Sequence, residues 1–296
     1  MNAKTTIMLG LKIIVLTFLL FVSYSIASMA VGLTDSTQTA DLMGAMAALL
    51  AVCAIQTVVL SYPIIRSRWD RWRLVLTIFL VFYGVMTFLS QIETVVFLRY
   101  LVDVVPAEII PKLFMQGAII AALFSPLVVL IHGRMKRAEE SQEINRRLIM
   151  PLMEWVWKLI LIAVIYVVIY FSFGMFVFRP LAGEAFQEYY AGLQLPLWII
   201  PFQMVRAMIW TALALPIIRM MKGNWWEAGL AVALLFSVLM GSLLLLPNPY
   251  MPDTIRMAHF VEVSSSNFLF GWIVVWLLNR HHGSLFELFR WSEKTG

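Results

Sequence analysis

Long apolar runs separated by short polar connections make up nearly the whole chain. Eight runs reach membrane-spanning length, at about 13–33, 42–65, 74–98, 112–131, 155–178, 195–218, 228–246 and 260–278. A helix needs roughly 17–25 predominantly apolar residues to cross a bilayer core. The pattern therefore predicts an all-α, polytopic membrane protein with eight transmembrane helices. The longest pieces outside the spans are the connection 132–154 and the loop 179–194, so little chain remains for a separate soluble domain.

The first run also carries features of a cleavable signal, because Lys4 precedes it and Ser28-Met29-Ala30 resembles a cleavage site. The uninterrupted stretch from Ile13 to Val31 exceeds a usual signal core of about 7–15 residues. We read it as the first span.

Basic residues fix an orientation. Lys4, Lys12, Arg66, Arg68, Arg71, Arg73, Arg134, Lys136, Arg137, Arg146, Arg147, Lys158, Arg219, Lys222, Arg280, Arg290 and Lys294 fall on one side, 17 of the 22 lysines and arginines. Only Arg99, Lys112, Arg179 and Arg256 fall on the other, and Arg206 lies within a span. The positive-inside rule then places both termini in the cytoplasm, which eight spans satisfy. The expected location is the plasma membrane.

The runs suggest a tandem repeat of four spans. Pro63-Ile64-Ile65-Arg66 closes the second run and Pro216-Ile217-Ile218-Arg219 the sixth, each followed by a basic loop with two tryptophans, Trp69 and Trp72 or Trp225 and Trp226. Lys12 and Lys158 are 146 apart (158 − 12), as are Tyr24 and Tyr170, and Arg134 and Arg280. The expected organisation is a first repeat at 1–134, a cytoplasmic linker at 135–154, a second repeat at 155–280 and an amphipathic tail at 281–296. Four spans per unit give both halves one orientation, related by a pseudo-two-fold axis along the membrane normal. In the linker, the Glu143 to Arg147 spacing suggests a helical extension. Phe186, Tyr189 and Tyr190 suggest a short interfacial helix in the loop 179–194.

The composition agrees: 61% of residues are hydrophobic and 13% charged, against about 25% charged in soluble domains. The net charge of +5 follows membrane topology, so it does not indicate a nucleic-acid partner. The lone Cys53 excludes an internal disulfide and a cysteine metal cluster. No phosphate-binding loop, nucleophile elbow, haem motif or redox motif is present, and the sequence indicates no particular cofactor.

The chemistry concentrates on intramembrane polar groups. Arg206 stands about eleven residues, roughly 16 Å, into a span with no other charge. A charge there is costly and calls for a partner. The carboxylates available within spans are Glu93 and Glu262, with His259 nearby. Tyr83, Thr87, Ser90, Gln91 and Thr94 form a stripe on the third span with Glu93 at its edge. His259, Glu262 and Ser266 share a face of the eighth, where Asn267 adds a further polar group. Gln116 is the repeat-equivalent of Glu262 (262 − 116 = 146), and Gln203 lies one turn before Arg206. All fall in the outer half of the membrane under the derived orientation.

Two functional readings follow, beside a non-catalytic scaffold or sensor held together by polar contacts. In the first, Arg206, Glu93, Glu262, His259, Gln91, Gln116, Asn267 and Gln203 line a transporter-like site. Its ligand would be a small anionic or zwitterionic substrate, with the lipid bilayer as the other partner. In the second, His259, Glu262 and Glu93 hold a metal for intramembrane hydrolysis, although no His-Glu-x-x-His motif is present.

Overall fold

The computed structural model describes residues 3–33, 42–97, 106–136, 147–191, 196–279, 281–282 and 284–288. Among them are eight helices long and apolar enough to cross a membrane: Ala3–Ala30, Leu42–Ile65, Arg71–Val96, Ile109–Ile131, Leu152–Ala182, Ile199–Met220, Trp225–Leu245 and Asp253–Asn279, here spans one to eight. Helices close their own backbone hydrogen bonds, which lipid cannot do for them. A short helix, Glu184–Tyr189, follows span five. This is an all-α multi-pass membrane protein.

Most of the helices begin earlier than the apolar runs, because polar and proline residues start a helix without contributing hydrophobicity. Span eight begins at Asp253, whose carboxylate sits in the first turn beside the helix dipole and pairs with Arg256 at 2.8 Å. Span six begins later than expected, at Ile199, after a turn in which the Ile199 amide donates to the Pro196 carbonyl at 3.0 Å. Arg206 therefore lies only seven residues into its helix, about 10 Å rather than 16 Å. Residues 137–146 of the linker, where a helical extension is expected, lie outside the described residues, as does most of the tail.

Spans three and seven are the most buried of the eight and touch each other at the centre. Around them the two halves share part of one neighbour scheme, and span six additionally meets spans seven and eight. Span one packs on spans two and four, and span three on span four; correspondingly, span five packs on spans six and eight, and span seven on span eight. Between the halves, span two meets span seven and span three meets span six. Gly84 permits that last approach: a Cβ there would lie 2.8 Å from Leu213 Cδ1 on span six, inside van der Waals contact. Trp210, Phe236 and Phe270 stack through the interior, with ring centroids 4.4 Å and 6.5 Å apart. The outer faces carry exposed Phe18, Phe176, Leu50 and Val205, as lipid-facing surfaces do.

The basic end is closed by backbone. After span two the chain runs antiparallel to the chain after span six, with Ser67 opposite Met221. The Arg68 amide donates to Met220 (2.7 Å) and the Lys222 amide to Arg66 (2.8 Å). Arg66 pairs with Glu227, which also accepts from the Asn224 amide in a capping box at the start of span seven. Arg134 donates to the Ser67 carbonyl, and Arg147 to the carbonyls of Ile218, Met221 and Gly223. Burial lowers the Arg147 pKa, and nearby Arg68 adds to this. A further ion pair, Lys158 with Glu154 at 2.6 Å, is buried at the foot of span five, where His281 and the His282 amide also bind Glu154.

Candidate functional site

Two π-turns shape the end of the bundle opposite the basic loops. Gly84–Phe88 interrupts span three and Gly174–Phe178 interrupts span five. Each inserts one residue and rotates the following side chains by about 100°. The polar stripe expected on span three is therefore split. Thr87, within the turn, lies against Gly117 of span four, while Glu93, beyond it, faces span six.

There Glu93 Oε2 meets Arg206 Nη2 at 2.8 Å. The same nitrogen donates to the Leu89 carbonyl (3.1 Å), and Nη1 donates to Gln203 Oε1 (2.9 Å). The phenol of Tyr170 on span five borders the Glu93 carboxylate. Beneath it, Trp210 Nε1 donates to the Tyr166 hydroxyl at 3.1 Å. Burial is unequal: the Arg206 side chain is 2% exposed and that of Glu93 28%. Arg206 Nε and Gln203 Nε2 are buried without a hydrogen-bond acceptor.

A second group caps this one. His259 Nδ1 faces Glu262 Oε2 at 3.1 Å, and its Nε2 faces the Tyr190 hydroxyl at 2.8 Å. The two ring nitrogens thus link Glu262 to Tyr190 through one imidazole. The imidazole stacks on Phe178 with centroids 3.9 Å apart. Tyr190 lies within electrostatic reach of Glu93 as well as Glu262, and burial raises its pKa, followed by Tyr189 and these two carboxylates. Tyr189 donates to the Tyr250 carbonyl at 2.8 Å. Phe178, Ala182, Ile255 and Ala258, with Phe186, form a small apolar cluster apart from the main core. The short helix is thus clamped over spans five and eight. Glu262 stands nine residues into span eight.

Of the eight residues expected at one site, the structure brings Arg206, Glu93 and Gln203 into contact and sets the His259–Glu262 pair beside them. The others bond elsewhere or not at all. Gln116 Nε2 donates to Ser28 on span one (2.8 Å), Asn267 Nδ2 faces Met240 Sδ on span seven (3.4 Å), and Gln91 Oε1 is buried without a donor. An apolar groove of about 650 Å³ beside Tyr83, Ile110 and Phe114 contains none of these groups. Among the described residues no three His, Cys, Asp or Glu side chains gather as a metal site, and Glu93 is directed to Arg206 rather than to His259.

Sequence reasoning passed over Tyr170, although its 146-residue offset from Tyr24 was visible. It also passed over a neutral cluster, in which Tyr24 donates to Gln56 Oε1 (3.0 Å) and Gln56 Nε2 to Ser242 (3.0 Å). A glutamine and a serine in spans are common enough to draw no attention singly.

Comparison with protein-family models, with curated proteins and with solved structures finds no match. Fold and geometry therefore carry the functional reading.

Proposed function

We propose that this protein is transporter-like and binds a small anionic or zwitterionic substrate at Arg206, entering from the outer face of the plasma membrane. Both termini are cytoplasmic in this reading, because the basic residues collect at the opposite end of the bundle. The observation that carries it is a sealed guanidinium whose counter-ion is partly exposed. A permanently charged, buried guanidinium and its neighbour Gln203 each hold a hydrogen-bond donor without an acceptor. A buried unsatisfied donor costs about 1–3 kcal/mol, which an entering acceptor relieves. The resident counter-ion, Glu93, is the partly exposed member of the pair and so the one that can turn aside.

The partly shared neighbour scheme of the two halves and the pairing of the Ser67 and Met221 loops support a tandem four-plus-four repeat, with its axis between spans three and seven. The two equivalent clefts then differ in charge. One holds Arg206, Glu93 and Tyr170, whereas the other holds Gln56, Ser242 and Tyr24. The substrate site belongs to the charged cleft.

A ligand panel tests this. Small carboxylates, phosphate and amino acids should be screened for those that raise the thermal transition of the purified protein, since a ligand of the folded state stabilises it. Arg206→Lys, which keeps the charge but loses the planar fork, should reduce the shift about tenfold in ligand concentration. An unchanged shift in Arg206→Lys removes Arg206 from the binding site.

A further inference from the structure

Resting on the reading that a substrate binds at Arg206, we infer that this substrate presents a carboxylate and that one proton binds with it, on Glu93. Arg206 cannot give up its charge and is sealed from water, so it needs an anion at every stage. The anion it holds is a carboxylate on Nη2, while Gln203 Oε1 and the Leu89 carbonyl accept from the same guanidinium and hold it in place. Glu93 thus acts as a built-in surrogate, and a group that replaces it on the guanidinium is best matched by another carboxylate.

Replacement has an electrostatic condition. A second anion arriving while Glu93 remains ionised would place two negative charges on one guanidinium at low dielectric, where like charges repel strongly. Adding a proton from the outer solution to the Glu93 carboxylate removes that repulsion and converts Glu93 to a neutral acid. No other bond is made or broken: one proton and one carboxylate enter, and the charge of the site is conserved.

The surroundings suit this exchange on every side. Span six presents Arg206, and span five presents the phenol of Tyr170, which can hydrogen-bond a neutral acid, with Tyr166 within electrostatic range. The turn after the short helix presents Tyr190, within electrostatic range of Glu93. Span eight presents His259 and Glu262, and the mouth of span four carries exposed Glu108 and Lys112. Tyr190, His259 and Glu262 form a hydrogen-bonded chain within electrostatic range of Glu93.

The test uses the full-length protein in lipid nanodiscs with isotope-labelled acetate as the probe, between about pH 6 and pH 8, where acetate stays ionised. One coupled proton makes apparent affinity rise roughly tenfold for each unit the pH falls. Glu93→Gln, already neutral there, should bind acetate with no pH dependence. Infrared difference spectra supply a measurement independent of that variant's stability. Acetate binding to the wild type at neutral pH should produce the carbonyl band of a protonated carboxyl group, distinguished from the probe by the label. Acetate binding that is pH-independent in the wild type, that keeps its slope in Glu93→Gln, or that produces no such band overturns proton coupling while leaving the Arg206 site intact. Binding of neither acetate nor longer carboxylates to either protein at any pH overturns both this inference and the site on which it rests.

Discussion

Arg206 and Glu93 meet at 2.8 Å across spans six and three, yet one is 2% exposed and the other 28%. A symmetric buried pair would be a structural clasp. Here the permanently charged member is sealed, and the titratable member is the partly exposed one.

The first prediction concerns stability. Breaking a buried ion pair leaves an uncompensated charge and costs about 3–5 kcal/mol, whereas removing both partners often costs little. Arg206→Leu should lower the unfolding transition of the purified protein, and adding Glu93→Gln should recover most of the loss. Glu262→Gln should not, because Glu262 is bound to His259. Recovery by Glu262→Gln instead would reassign the partner of Arg206.

That assignment marks what was legible in the sequence. The eight helices were, because the bilayer demands long apolar runs and leaves no competing pattern. Arg206 was conspicuous as a lone intramembrane charge. Its partner was not settled, since Glu93 and Glu262 have equal claims on spacing alone. The π-turn at Gly84–Phe88 decides it by rotating Glu93 toward span six, and nothing in that stretch announces an inserted residue. Helix starts were misplaced for a related reason: Asp253 and Pro196 act through capping and turn geometry rather than hydropathy. Glu154 and Lys158 were read as loop and topology markers, but their burial with His281 depends on distant chain.

The second prediction tests the closed basic end. Ser67 and Met221 form a non-hydrogen-bonded antiparallel pair, whose Cα atoms lie about 4.5 Å apart, within disulfide range. In a Cys53→Ala background, Ser67→Cys with Met221→Cys should crosslink under mild oxidation and shift on a non-reducing gel after cleavage between the halves. No crosslink would mean that the two loops do not pair.

Orientation gives the third. Cysteines introduced at Gly183 and at Lys222, again without Cys53, should react with membrane-impermeant reagents from opposite sides. Gly183 should label in intact cells and Lys222 only after lysis. The reverse pattern would turn the protein over.

Acid stability gives the fourth. His132 follows span four, bonds Ser61 at 2.9 Å, and has its pKa lowered to about 4 by burial, aided by Lys12 and Arg134. A histidine with a depressed folded pKa takes up protons more readily when unfolded, so stability falls as pH drops from about 6.5 toward 4. Partial solvent access limits the loss to about 2 kcal/mol. His132→Asn, keeping the bond to Ser61, should flatten this part of the stability curve; an unchanged curve would assign the acid sensitivity to other groups.

The most direct test of the Arg206 site is an anomalous-difference map of the protein with 3-bromobenzoate, whose unreactive aryl bromine marks a bound carboxylate. The account predicts a bromine peak in the cleft between spans three, five and six, with the probe carboxylate about 3 Å from Arg206 Nη2 and Glu93 turned aside. A bromine peak elsewhere, with Glu93 still on Arg206, would contradict it.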